Sequence, residues 1–292
     1  MSAVLRELPA APAASPSGER LLQLIEQQVR AQQLALPMLP EVAQRIGGMA
    51  RRDDIQFAVI AAVIAKDPAC SAQIMRVANS AAMQGNGGAV SSLQLAVTRL
   101  GLDLTRALVM RMAMDRMFRA RSPLLNKILM TTWTRSLWVA ALSRVLAARY
   151  TRVNPDAAML AGLLHLVGSL PMIQLLDREP QLVDSGADML RSILTLHWRV
   201  AHLVLEAWNF PPELRELPAQ AFDFSRRHDG PADAADVVSL AILQTYGDDY
   251  RHWVAVDPQQ VDAFRQLGLQ PGSPQLQETH AAFKNSMQLL NG

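Results

Sequence analysis

His165 lies in Ala161-Gly162-Leu163-Leu164-His165-Leu166-Val167-Gly168, a stretch apolar on nearly every side. An imidazole in such surroundings can serve as a metal ligand, a general base or a hydrogen-bonded core group. The stretch itself favours the last. His197 and His202 are five residues apart, which places them about 140° apart around a helix rather than on one face. His228 precedes Asp229-Gly230, a turn signal, and is expected at the surface. The carboxylate pairs Asp53-Asp54 and Asp248-Asp249 read as helix caps and solvated charges. Cys70 is the single cysteine, so it excludes an internal disulfide and a Cys-rich zinc site. No basic side chain or histidine adjoins it in sequence to activate the thiol, and it reads as a small buried hydrophobe. No glycine-rich phosphate loop, nucleophile elbow or zinc-protease signature is present.

These groups must be held by helices. Hydrophobic residues make up 50% of the 292 and charged ones 18%, which excludes wholesale disorder. Aromatics are only 5%, so the core falls to Leu, Ala, Val, Ile and 14 Met, a set biased toward helix. No strand-like alternation or internal repeat occurs. Residues 1–18, with Ala10-Ala11-Pro12-Ala13-Ala14-Ser15-Pro16-Ser17-Gly18, read as a flexible tail. No secretory signal and no run long enough to span a membrane is recognised, and one free thiol suits a reducing cytosol.

Helical spacing is read over 19–33, capped by Ser17, with Leu21, Leu22, Ile25 and Val29 on one face. Leu36-Pro37-Met38-Leu39-Pro40 breaks it, and a short helix starts at Glu41. Asp53 or Asp54 caps the next, and Lys66-Asp67-Pro68 ends that helix and opens another running to Asn79-Ser80. After the loop Gln84–Gly88, Ser91 and Ser92 cap a helix ending at Leu100-Gly101, a glycine C-cap, and a further helix spans 103–118. A long helix over 123–150 precedes the one opened by Asn154-Pro155. Later helices are read near 186–196, 198–208, 233–247, 258–267 and 274–290.

The order of these pieces resembles the HD-related output domain, or HDOD, over roughly residues 34–250. The likeness is carried by Leu36-Pro37-Met38-Leu39-Pro40-Glu41-Val42-Ala43, Val63-Ile64-Ala65-Lys66-Asp67-Pro68 and Met75-Arg76-Val77-Ala78-Asn79-Ser80-Ala81. It continues through Val90-Ser91-Ser92-Leu93, Ala96-Val97-Thr98-Arg99-Leu100-Gly101, the His165 segment and Leu205-Glu206-Ala207-Trp208-Asn209-Phe210-Pro211-Pro212-Glu213. Asn79 reads physically as a helix-ending cap. The resemblance implies descent from HD enzymes, which hold metal through an early His, a His-Asp pair and a late Asp, so that a bound water attacks a phosphate. Here the early His corresponds to Arg135. His165 is kept, but Leu166 follows it where Asp belongs, and Ile242 stands at the late Asp. Ser169 replaces a basic residue common after the following glycine. One His cannot hold Mg²⁺ or Mn²⁺ beside a guanidinium. No metal, cofactor or catalytic residue is therefore expected.

The expectation is an all-α HDOD-type domain: a tail to residue 18, an N-terminal helical lobe over 19–120, a degenerate HD-like lobe over 121–250 and a helical extension over 251–292. Its expected role is cytoplasmic, non-catalytic bacterial signal transduction through a signalling protein partner. Between Arg99 and Arg152 stand eleven Lys/Arg against two Asp, while from Val153 onward nine basic residues face seventeen acidic ones. This asymmetry nominates Arg106, Arg111 and Arg116 as a partner surface. Three alternatives stay open. The first is a sensor binding a nucleotide second messenger in a vestigial pocket at His165 and Arg135. The second is a nucleic-acid binder, which ranks lower because no aromatics alternate with the arginines. A metal-dependent phosphodiesterase ranks last.

Overall fold

The computed structural model describes residues 15–31, 39–47, 57–84, 88–118, 120–253 and 255–291. Helix α1 (Pro16–Arg30) starts where Ser15, not Ser17, caps it by accepting from the Gly18 amide at 3.0 Å. Ser17 turns inward instead and donates to the Asp188 carboxylate. Leu21, Leu22 and Ile25 are thereby buried against a helix nearly 170 residues away. Burial lifts Asp188 toward the neutral form, but bonds from Ser15, Ser17 and the Asp184 amide outweigh it and leave the carboxyl below its ordinary range.

Short helices α2 (Glu41–Gly47) and α3 (Phe57–Ile64) precede α4 (Pro68–Ala78). Asp67 caps α4 through the Cys70 amide, with Pro68 in the tolerated first turn. Cys70 is buried, and burial raises its thiol pKa to about 11. Asn79 is the C-cap of α4 as expected, its backbone amide donating to the Met75 carbonyl, and its side chain reaches further. Its amide donates to the Val90 carbonyl at 3.0 Å and its oxygen accepts from the Val90 amide at 2.7 Å, clamping the chain across the intervening loop. Asn79→Ala leaves both backbone groups without these partners and is expected to cost about 1–3 kcal/mol by chemical denaturation. The expected caps at Asp53 and Asp54, the Leu36-Pro37-Met38 break and the centre of the glycine loop lie outside the described residues.

The four-residue α5 (Ala81–Gln84) leads to α6 (Leu93–Met117), which is two helices in line. Gly101 interrupts them at φ 75°, a left-handed conformation that a side chain disfavours, as its C-cap role required. Helix α7 (Pro123–Tyr150) matches its expected bounds, and Asp177 accepts from the amides of Arg121 and Ser122 at its entrance. Asn154 caps α8 (Pro155–Leu164) through the amides of Asp156 and Ala157. A four-residue turn separates α8 from α9 (Ser169–Arg178). Together these form the continuous apolar stretch Pro155–Arg178, long enough to cross a membrane by length and composition, which the sequence reading passed over. The fold uses it as core, 94% of its most apolar window being buried.

Helix α10 (Gly186–Ala207) is one rod where two were expected, followed by α11 (Pro212–Phe222) and α12 (Ala234–Trp253). Helix α12 runs through Asp248-Asp249, so that pair lies within the helix rather than at its end. The short α13 (Asp262–Gln266) and long α14 (Pro274–Asn291) complete an all-helical chain without strands among the described residues.

One hydrophobic cluster runs from Leu21 through Leu104, Leu129, Leu163 and Val204 to Leu290. A second gathers Val139, Leu146, Leu217, Val238 and Phe264 around α12. The expected lobe boundary at residue 120 is not a break in this core, because α1 packs on α10 and α6 packs on α8. Helix α14 lies along α7, so the extension after residue 250 is integral too.

Candidate functional site

Helix α8 ends at His165, and its side chain has no exposure. The ring Nδ1 is 2.6 Å from the Gly162 carbonyl, which can only accept, so Nδ1 carries the proton. Nε2 then accepts from the Tyr246 hydroxyl at 3.1 Å. Both nitrogens are spent in a neutral imidazole. Burial opposes its protonation, and despite the Gly162 bond the pKa falls to about 3, with Arg135 adding repulsion. Burial likewise pushes the Tyr246 phenol far above its usual range. The expectation of a hydrogen-bonded core histidine holds.

Arg135 and His165 are brought together through Tyr246. The Arg135 guanidinium carbon lies over the Tyr246 ring, 4.3 Å from its centre. Tyr246 was missed in sequence. It stands on α12 one turn after Ile242, and a single phenol in an apolar helix was the available signal. Ile242 itself is fully buried hydrocarbon. Phe222 stacks on His165 at 5.8 Å and meets His197 edge-on at 4.6 Å.

His197 was placed correctly on the opposite face from His202. His202 pairs with Glu216 at the surface, whereas His197 is 1% exposed. Neither of its ring nitrogens has a hydrogen-bond partner among the described residues, and burial lowers its pKa to about 3. Between Arg135, Ser169, His197 and Tyr246 remains a cavity of about 10 Å³, room for one water.

This donor set does not fit a divalent metal. The His165 nitrogens are both committed, a guanidinium lies alongside, and the cavity lining among the described residues includes no carboxylate. Elsewhere His228, Asp233 and Asp236 stand close enough to share an ion. Arg226 already supplies the positive charge there, donating to Asp236 at 2.8 Å and to Asp233. His228 is thus half-buried against Asp236 at 2.9 Å, not the free surface group expected. Arg226→Ala leaves the nearly buried Asp236 with only His228 and the Asp233 amide and is expected to lower stability by about 2 kcal/mol in urea.

The arginine row does not form one surface. Arg106 is 5% exposed, donates to the Ile46 carbonyl at 3.2 Å and faces Asp103, so it is part of the core wall. The reason is its position on the inward face of α6, which the charge count along the chain could not show. Arg111 is half-buried, and burial lowers its pKa. Arg116 is exposed and paired with Asp67 at 3.6 Å.

Residues 36–223 match the HDOD domain family. The chain belongs to the HDOD family. Similar solved structures include a protein from Shewanella amazonensis SB2B, provisionally named a metal-dependent phosphohydrolase, at TM-score 0.75 and 26% identity over 94% of this chain and 98% of that one. An HDOD domain protein of unknown function from Geobacter sulfurreducens matches at TM-score 0.64 and 22% identity, covering 94% of this chain and 98% of its own. A protein from Marinobacter aquaeolei VT8, provisionally named for signal transduction, gives TM-score 0.63 and 22% identity, covering all of this chain and 69% of that one. No curated protein matches the sequence. The residues matched in this HDOD chain end at Phe222-Asp223, so α12, which supplies Tyr246 to the pocket, lies beyond them.

Proposed function

We propose that this HDOD protein is a non-catalytic module of bacterial signal transduction that acts by binding a protein partner. The observation that carries the reading is the closed set Arg135–Tyr246–His165. It joins Arg135 and a fully committed His165, the positions that the resemblance matches to metal ligands of HD enzymes, through the Tyr246 phenol. The provisional signal-transduction name of the Marinobacter structure agrees with the role but is a property of that protein.

A nucleotide messenger is accommodated less well by the pocket as folded. Its cavity of about 10 Å³ compares with some 300–1,000 Å³ for ordinary small-molecule sites. Partner binding is better sought on α7. There Leu124, Met130 and Trp138, at 57%, 46% and 43% exposure, fall within an arc of about 120°.

Two measurements test the reading. Purified protein is expected to hold no stoichiometric Mn, Fe or Mg and to turn over no phosphodiester with any of them added. Metal at one equivalent together with turnover lost in His165→Ala overturns it. Met130→Glu with Trp138→Glu is expected to abolish co-purification of a signalling partner while the helical signal stays unchanged.

A further inference from the structure

Phe222 is the last residue of α11 and is followed by eleven residues, 223–233, outside any helix. It faces two ways. Outward it borders a surface groove of about 590 Å³ with Trp198, Ala219, Gln220 and Arg226, where the Asp223 carboxylate is turned onto Ser225. Inward its ring covers His165 and His197. His197, which that ring meets edge-on, also lines the small cavity together with Arg135.

His197 is the anomaly. Proteins seldom bury a donor and an acceptor without partners, and no contact in the described fold uses this imidazole beyond its edge on Phe222. A group kept buried in that state is suited to a ligand that completes it. The other hydroxyls at the cavity are already directed elsewhere. Ser169 donates to the Leu166 carbonyl and Thr132 to the Ile128 carbonyl. The lining groups that can still donate are the Arg135 guanidinium, which also contacts the Tyr246 ring, and His197, enough for one carboxylate and few for a phosphate dianion. The apolar walls are Ile128, Leu166, Leu190, Ile193 and Leu194. If the Phe222 ring swings into the groove, it leaves a space of benzene size beside His197.

We propose that this is a binding site for a small carboxylate with a compact apolar body, gated by Phe222. The carboxylate meets Arg135 and His197, and the body takes the place of the Phe222 ring. The inference rests on the reading that the pocket holds no metal. It gives the module an input site that requires no partner. Gating weakens apparent affinity by the fraction of time the ring stands open, so removing the ring strengthens binding.

The test uses the full chain with benzoate as the probe. Binding is followed by the histidine ring and Trp198 indole NMR signals, with and without EDTA. Saturable shifts of the His197 ring, indifferent to EDTA, are expected in the wild type. Phe222→Ala is expected to lower the Kd at least tenfold. His197→Leu removes two unpartnered nitrogens, so it is expected to keep its Tm within a few degrees or raise it, and to weaken binding at least tenfold. Absence of saturable shifts in both wild type and Phe222→Ala overturns the site and leaves the metal-free reading intact. Binding abolished by EDTA overturns both. Equal affinity in wild type and Phe222→Ala overturns the gate, and an unfolded His197→Leu shows the imidazole to be structural, which overturns the proposal.

Discussion

Gly168→Ala is expected to cost about 3 kcal/mol or more, at or beyond the upper end of core overpacking, and to leave little folded protein at 37 °C. A Cβ on Gly168 sits 1.9 Å from the His197 carbonyl oxygen and 2.4 Å from the Ala201 amide nitrogen. Both are backbone atoms of α10, so no side-chain rotation relieves the clash. The turn between α8 and α9 must move away from α10, and with it the floor of the pocket. Gly186→Ala is the control, because a Cβ there meets nothing within 4 Å at the start of the same helix. That variant is expected within about 0.5 kcal/mol of wild type or slightly more stable. A wild-type urea midpoint for Gly168→Ala would show that the helices are not this close.

Acid is expected to unfold the protein earlier than its carboxylates alone predict. In the unfolded chain His165 and His197 titrate near 6.5, while in the fold both stay neutral down to about 3. The unfolded state therefore binds more protons throughout that interval. Stability is full above pH 6.5 and falls as pH drops, approaching about 1.4 kcal/mol per pH unit for each histidine. The carboxyls of Asp188 and Asp233 lie below their ordinary values, so their contribution is lost only at lower pH. Urea midpoints between pH 6.5 and 5 thus report the histidines. The slope there is expected to fall by about half in His197→Leu, which leaves one buried imidazole. An unchanged slope in that variant shows that His197 is not the neutral buried base described.

Much of this molecule was written in local sequence. Helix α7 begins at Pro123 and ends at Tyr150, the bounds read without coordinates, with a proline in its tolerated first turn. Gly101 announced its left-handed turn, and Asn154-Pro155 its cap. That Leu166 and Ile242 offer a metal no donor atom was legible as well, wherever they point. His165 was recognisable as core from the hydrocarbon on either side of it.

The tertiary structure decided whatever depends on residues far apart in the chain. Ser17 reads as a cap because capping is local, but Asp188, 171 positions away, draws its hydroxyl inward and leaves the cap to Ser15. Arg106 counts as surface charge along the sequence, yet α6 turns it toward the Ile46 carbonyl, which compensates its burial. Asn79 ends a helix as read, but its partner is Val90 across a loop. Tyr246 and Phe222 carry no signature that links them to His165. They meet it only because α11 and α12 fold back over the end of α8, and hydrophobic burial, which drives that folding, is without direction in sequence. The sequence by itself determined that the pocket at His165 receives no ligand atom from Leu166 or Ile242, through residue types that hold in any fold. Only the packing decided what fills it.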